Sequence, residues 1–469
     1  MKSISFKQIP WMEDPFSFYR RFCQRKPGVL LESARLSAQT GRYSIAANDP
    51  FLVLRCENGE LSLRHLRSGK REKHSGSPFR LLRKLLKKYS LPDRPGWPPF
   101  AGGAVGYVGY ECKNWLEPRS SSRPKPNVFP DLYFLFFDHG MVWDHEKKQT
   151  YWFGCGKQPS GLRRLTARAD HEKVRKNSVS SMKLECSFTE REFERAVQKT
   201  KKYIKRGDIF QANLAQRFAF NLEKNPEEIY AALRAINPSP FFGILDAEDF
   251  SIVSGSPERL LKLRGRQMET RPIAGTRRRG KNAKEDSRLA LELLLSDKER
   301  AEHVMLVDLE RNDLGRVAEY GSVNVDELMA LEDDSHVKHI VSNVRGTLRR
   351  GLGAVDAFSA FFPGGTITGA PKIRCMQIIE ELEPVTRGPY TGSLGYFSFT
   401  GNMDFNILIR SLVLKGKRAY LHVGAGIVAD SEPKKEYHET LYKAQAILSA
   451  VFGCGQVRAY FRQNGVSAV

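Results

Sequence analysis

Four glutamates stand in two pairs of equal spacing, Glu299 with Glu302 and Glu436 with Glu439. On a helix, a three-residue step puts both carboxylates on one face. Ser296-Asp-Lys-Glu299 reads as a capping box, which accounts for Glu299 and leaves Glu302 without a structural reason. In Glu436-Tyr-His-Glu439, Lys443 follows Glu439 by four, the spacing of an ordinary exposed ion pair. If the two helices face one cleft, the carboxylates can supply the hard oxygen ligands of Mg2+ with waters left over. Such an ion binds an anionic substrate oxygen and neutralises charge that develops on it.

Other segments carry anion-binding chemistry. Phe362-Pro-Gly-Gly-Thr-Ile-Thr-Gly-Ala-Pro-Lys372 is dense in glycine and runs into a helix, with Pro371 suited to the first helical position. Free N–H groups at such a start favour an anion. No Walker sequence is present. Val423-Gly-Ala-Gly-Ile427 ends an apolar strand, where glycine permits either close approach of a ligand or a bulge. Arg410 can grip a carboxylate bidentately or pair with a structural acid. His336 and His339 are one helical turn apart. Histidine needs no help to titrate near neutral pH, so either is a candidate general acid, and a buried structural histidine is the alternative.

These residues must be positioned by a large fold. The chain has 469 residues, 41% hydrophobic and 27% charged, which suffices for one large core or two to three domains and excludes a disordered chain. Its 75 Lys and Arg against 53 Asp and Glu leave a formal net charge of +22. A basic run from 64 to 88 has no interleaved aromatics and no helix-turn-helix, RRM or zinc-finger pattern, so it reads as a solvated face and nucleic acid is not expected as a partner. No apolar run approaches the ~20 residues of a membrane helix. The seven cysteines are scattered, without C-x-x-C spacing, so neither a disulfide framework nor a zinc site is indicated and a cytoplasmic location is expected.

Residues 51–55 and 131–137 alternate or run apolar as strands do, and 251–255, 406–410 and 420–424 read the same way. Helical spacing covers 189–206, with a Thr189/Glu192 capping pattern, and also 286–295, 372–383 and 434–451. Strands that do not alternate regularly with helices predict an α+β architecture. The organisation expected is an amino-terminal region at 1–155, a polar linker or surface connection at 156–187, a catalytic region at 188–452 and a tail at 453–469.

The motifs also occur in a known order. Arg271-Pro-Ile-Ala-Gly-Thr276, Ala301 to Arg316, Gly364 to Lys372 and Gly424-Ala-Gly-Ile427 resemble the chorismate-utilising enzymes, the family of the first components of anthranilate and aminodeoxychorismate synthases. Leu30-Leu-Glu-Ser33, Gly41-Arg-Tyr-Ser44 and Phe100 to Tyr107 extend the resemblance over nearly the whole chain. It implies a layered αββα sandwich of two large, mostly antiparallel sheets around a central cleft. It implies Mg2+ held directly by Glu302 and Glu439, with Glu299 and Glu436 acting nearby or through water. Gly275, Thr276, Tyr390, Arg410, Gly424, Gly426 and Lys443 match positions that hold the substrate. Thr276 and His339 match catalytic positions, His339 rather than His336 being the acid/base that assists loss of the C4 hydroxyl.

Within the family, Gly207 to Leu214, Glu269 to Pro272, Asp308 to Leu314, Phe362 to Thr368, Tyr390 to Tyr396 and Asp404 to Ile407 are closer to the branch that aminates chorismate at C4, towards p-aminobenzoate and folate. The alternative is C2 amination to anthranilate, and a water-using relative ranks after it. Many C4-aminating relatives carry a nucleophilic lysine where Ala274 stands here, which places a covalent lysine route in doubt. No Gly-x-Cys-x-Gly-His signature is present, so ammonia is expected from a separate glutamine amidotransferase subunit in a heterodimer. Ser33, Pro240, Phe241 and Phe242 partly match a tryptophan pocket of inhibited relatives, a filled core being the alternative.

Overall fold

The computed structural model describes residues 4–12, 14–23, 26–35, 40–120, 125, 127–155, 182–333 and 337–463. Most of the connection expected at 156–187 lies outside them. Two twelve-stranded sheets, antiparallel at every pairing recorded, form the centre. In the first, five strands from the chain's first 155 residues join seven from the remainder along one seam, where Gly28–Glu32 pairs with Phe241–Asp246. The second has a matching seam, Gly103–Val108 against Ser393–Ser398. There Gly106 faces Gly395, and a Cβ on Gly395 would lie 2.1 Å from the Asp404 carbonyl oxygen, so only glycine admits the neighbouring strand.

Amphipathic helices cover the outer faces. Pro15–Phe22, Pro226–Ile236 and Pro433–Phe452 close the first sheet through Phe18, Tyr230, Leu233, Leu441 and Leu448. Pro78–Lys88, Asp297–Gly315 and Ala354–Phe361 lie on the second, contributing Leu82, Val307, Leu314 and Phe358 to the core. The result is the expected layered α+β sandwich. Local chemistry sets the helix starts: Thr189 and Glu192 form a reciprocal capping box at Glu190–Lys205, and Asn225 and Glu228 repeat it at Pro226–Ile236. Leu132–Phe137 (LYFLFF) is buried at every position because both its faces are covered. At the carboxy-terminal end, Cys454–Gln463 is a helix whose Val457 and Phe461 pack against the apolar side of Pro433–Phe452.

Two expectations need correction. Residues 406–410 do not form a strand. Met403–Asn406 ends in the second sheet and Ser411–Lys415 begins in the first, and 407–410 carries the chain between them. Arg410 adopts φ +50 there, a left-handed conformation that stops any strand. Pro371 is the cap of Lys372–Leu382 rather than its first helical residue.

The basic run at 64–88 is exposed at Arg71, Arg80, Lys84, Lys87 and Lys88, as a solvated face is, and partly paired, Arg64 meeting Glu248, Arg67 Asp138 and Arg83 Asp356. Among the described residues, no helix is long and apolar enough to cross a membrane, and all seven cysteines are unbridged.

Phe405 tests the second sheet's core. Its ring is fully buried, 4.6 Å from Phe397 and 4.8 Å from Phe358. Phe405→Ala should cost about 3–5 kcal/mol, read as a lower denaturation midpoint.

Candidate active site

The first corner of the site lies where Ile273–Arg278 pairs with Val337–Thr347, placing Thr276 opposite His339. Thr276 Oγ1 is 3.0 Å from His339 Nδ1, and the Gly275 carbonyl oxygen is 3.4 Å from the same nitrogen. Gly275 has φ +61, and a Cβ there would stand 3.0 Å from a Glu299 carboxylate oxygen. The glycine is therefore needed both for its backbone conformation and for the closeness of the acid. His336 lies outside the described residues.

Glu299 and Glu302 project from the first turns of Asp297–Gly315. Ser296 Oγ accepts from the Glu299 N–H as the capping box requires. The Glu299 carboxylate does not return to the cap; it binds Arg277 Nη1 at 2.9 Å. Glu302 accepts from Gln211 Nε2 at 3.0 Å. Burial raises the Glu302 pKa, Gln211 opposes this, and the charges of Glu299 and Glu439 raise it further. Glu436 is also raised, by burial and then by Glu439, against a Ser431 hydrogen bond and the charges of Lys443 and Lys298. Lys298 acts on Glu302 and on Glu436 alike, so the two helices present their acids to one another.

Among the described residues, no three His, Cys, Asp or Glu side chains already form a cluster that could hold an ion. Mg2+ needs none: it keeps several waters and takes one or two protein carboxylates. Facing carboxylates whose charges raise the pKa of Glu302 and Glu436 fit a hard divalent cation, which would relieve that repulsion.

The opposite wall is Arg418–Ile427 paired with Gln211–Asn221, with Ala215 opposite Gly424 and Asn213 opposite Gly426. A Cβ on Gly424 would lie 2.4 Å from Asn213 Oδ1 and 2.8 Å from the Tyr390 hydroxyl, and one on Gly426 2.7 Å from Gln211 Nε2. Both glycines thus serve close approach rather than a bulge. Lys443 donates to the Gly424 carbonyl at 3.0 Å and pairs with Glu439 at 2.7 Å. Gln211 Oε1 and Asn213 Oδ1 are buried without partners. Orphaned buried acceptors on one strand mark a place where a polar ligand or water is missing a bond.

Sequence reasoning overlooked Glu258. It is buried, and its pKa is pushed up to about 7 by desolvation, although Thr366, the Ile273 N–H, Arg410 and Lys443 all favour its charged form. Its Oε1 has no hydrogen-bond partner. The residue therefore titrates near neutral pH and stands within electrostatic reach of Arg410 and Lys443. Gly-Ser-Pro-Glu258 has no spacing that betrays this; the burial comes from a distant segment.

The glycine-rich segment behaves differently from the expected anion cradle. A Cβ on Gly365 would come within 2.3 Å of Leu309 Cδ2, so the segment is pressed against Asp297–Gly315. The side chain of Lys372 binds Asp313 at 2.5 Å and the Phe361 carbonyl at 3.0 Å, which locks it in place. Thr366, beside Glu258, is this segment's contribution to the site.

Gly275, Thr276, His339 and Glu299 thus share one corner, Tyr390, Gly424, Gly426, Lys443 and Glu439 share the facing wall, and Gln211 on that wall binds Glu302. Glu258 feels Arg410 and Lys443 together. Ser33, Pro240, Phe241 and Phe242 are not part of this group. Ser33 bonds Ser44 and the Tyr43 carbonyl, Phe242 is buried edge-on to Tyr230, and the Arg259 guanidinium lies 5.1 Å from the Phe241 ring. A separate cavity of about 630 Å³ is lined by Tyr110, Glu111, Lys113, Trp115, Glu383 and Arg387 among others.

Comparison with known proteins places these features in a family. The model described as chorismate binding enzyme matches residues 32–449. Aminodeoxychorismate synthase component 1 of Bacillus subtilis (strain 168) is 44% identical over 459 residues, covering 95% of this chain and 96% of the relative. Anthranilate synthase component 1 of Acetivibrio thermocellus is 40% identical over 467 residues, covering 95% and 94%. The crystal structure of anthranilate synthase component I from Streptococcus pneumoniae TIGR4 superposes with a TM-score of 0.76 at 35% identity, covering 93% of this chain and 97% of that one.

Glu258→Gln tests the buried proton without any turnover. An unfolded glutamate ionises near 4.5, whereas the folded one holds its proton to about 7. Between those values the native state binds more protons, so wild-type stability falls as pH rises, by roughly 1 kcal/mol per unit. The stability difference should therefore move in favour of the variant between pH 5 and pH 7 and level off above. Denaturant midpoints of both proteins across that range check it; parallel curves would contradict it.

Proposed function

Because this chain belongs to the chorismate-binding enzymes, we propose that it aminates chorismate at C4, giving 4-amino-4-deoxychorismate for p-aminobenzoate and folate synthesis. The likeness to the Bacillus subtilis synthase over nearly the whole length of both chains carries this reading. The segments that lean the same way, such as Gly207 to Leu214 and Tyr390 to Tyr396, lie on the walls of the cleft.

In this reading Arg410 and Lys443 hold the two carboxylates of the substrate, and Tyr390, Gly424 and Gly426 shape the wall against its ring. Glu302 and Glu439, with Glu299 and Glu436 close by, would hold a Mg2+ that supplies positive charge to an anionic oxygen. The net reaction breaks the C4–O bond and forms a C4–N bond. The departing oxygen takes a proton and leaves as water, and the entering ammonia gives one up. Two proton carriers are at hand. His339 is oriented through Nδ1 by Thr276 and the Gly275 carbonyl, and Nε2 is the nitrogen assigned to pass a proton to the departing C4 hydroxyl. Glu258, whose pKa burial pushes up to about 7, is partly ionised at neutral pH, and its carboxylate can take the proton that the entering ammonia gives up.

Ala274, in Ile273–Arg278, offers no nucleophile, so amination proceeds without a covalent lysine adduct at that position. Ammonia comes from a separate glutaminase subunit. The second reading, anthranilate synthesis, draws on Ala274 itself and on the 40% identity to the Acetivibrio thermocellus enzyme.

Product analysis separates the two. With chorismate, Mg2+ and ammonium, the purified chain should yield a product that added aminodeoxychorismate lyase converts to p-aminobenzoate. Fluorescent anthranilate formed without the lyase would reject C4 amination. In the same assay His339→Ala should lose turnover while chorismate binding is largely kept; a wild-type rate would discard the histidine's role.

A further inference from the structure

Tyr390 is held by a column of stacked groups. Its ring lies parallel to the His422 imidazole, with centroids 5.3 Å apart and planes 11° from each other. The Arg387 guanidinium also lies over this ring, 5.8 Å from its centre, and 4.8 Å from the centre of the Tyr110 ring. Arg387 is 1% exposed. All five of its N–H donors are engaged. Nε and Nη2 fork onto the Glu383 carboxylate at 2.9 and 2.6 Å, Nη2 also reaches the Asn213 carbonyl at 2.7 Å, and Nη1 bonds the Ile367 carbonyl at 3.0 Å and Thr391 Oγ1 at 3.2 Å. Glu383 in turn accepts from the Ala215 N–H at 2.8 Å.

One guanidinium thus ties together three segments that line the cleft: the strand bearing Asn213, the glycine-rich segment at Ile367 beside Thr366, and the turn bearing Tyr390 and Thr391. Each acceptor is fixed, so the plane of the fork is fixed, and the ring stacked on it has one height above Gly424. Burial first, then the charges of Arg217 and Arg387, keep His422 neutral, so the imidazole stacked on Tyr390 adds no competing cation.

We propose that Arg387 is a positioning residue for substrate binding, setting the place of the Tyr390 hydroxyl over Gly424 without touching the substrate itself. The inference rests on the reading of Tyr390 as a chorismate contact. Lysine keeps the charge at this position but cannot reproduce a planar, five-donor fork.

A double-mutant cycle on chorismate turnover tests it. Arg387→Lys and Tyr390→Phe should each raise KM, by roughly tenfold, with a smaller change in kcat. The double variant should be no worse than Tyr390→Phe alone, because Arg387 acts through that hydroxyl. A purely structural role would lower the melting temperature and multiply the two KM effects, which would overturn the inference. If Arg387→Lys does not fold, Glu383→Gln, which loosens the same fork, takes its place in the cycle with the same two outcomes. A normal KM for Tyr390→Phe would remove Tyr390 as a contact and the inference with it, whereas a wild-type chain that does not turn over chorismate would remove the functional reading on which both stand.

Discussion

The chain changes sheets twice at one place, and the cleft depends on that double crossing. Residues 256–259 pass from the first sheet to the second, and 407–410 pass back beside them. Backbone groups that leave a ladder inside a core must find other partners. Here each crossing satisfies the other: Ser256 Oγ donates to the Ile407 carbonyl, the Ile407 N–H to the Glu258 carbonyl, and the Gly255 N–H to the Arg410 carbonyl. The buried acid and the arginine that faces it therefore sit on two strands of one crossing. Arg410 takes its left-handed conformation where the second crossing ends.

The electrostatics of the cleft follow from this geometry. A carboxyl at the crossing is far from water, so Glu258 holds its proton to about 7 even with two cations in reach. Nearer the opening, Glu302 and Glu436 are only partly buried, and part of the upward shift comes from other glutamates. The site thus separates two kinds of acid. One is made to titrate near neutral pH by its depth and can move a proton. The others repel one another at the rim and are suited to a cation. Arg387, deeper than either, has its charge met by Glu383, which is why it can serve as a fixed support rather than as a binding group.

What could be read in advance was local or shared with relatives. The Thr189 capping box is a short pattern whose physics is complete within a few residues, and the paired glutamates and the Gly424/Gly426 strand are short patterns that mark positions whose partners lie far along the chain. The resemblance to chorismate-utilising enzymes carried the αββα layers and pointed to Thr276 and His339 together. What escaped depends on distant contacts. Residues 406–410 look like any apolar strand, and only their place between two sheets breaks it. Glu258 becomes an acid of altered pKa only through burial in the fold, where Ile273, Thr366, Arg410 and Lys443 come near it from other segments. Gln211 and Arg387 have ordinary surroundings in sequence; their roles come from Glu302, 91 positions away, and from Asn213, 174 positions away.

The central claim is that chorismate lies between the Thr276–His339 corner and the Gly424–Tyr390 wall, with Glu258 and Arg410 beneath it. A crystal structure of Glu258→Gln grown with chorismate and Mg2+ tests this most directly. The account predicts ring density against Gly424 and Tyr390, with a carboxylate on Arg410 or Lys443 and the C4 oxygen within reach of His339 or of the side-chain amide introduced at position 258. Density in the cavity between Tyr110 and Trp115, with the cleft empty, would contradict it.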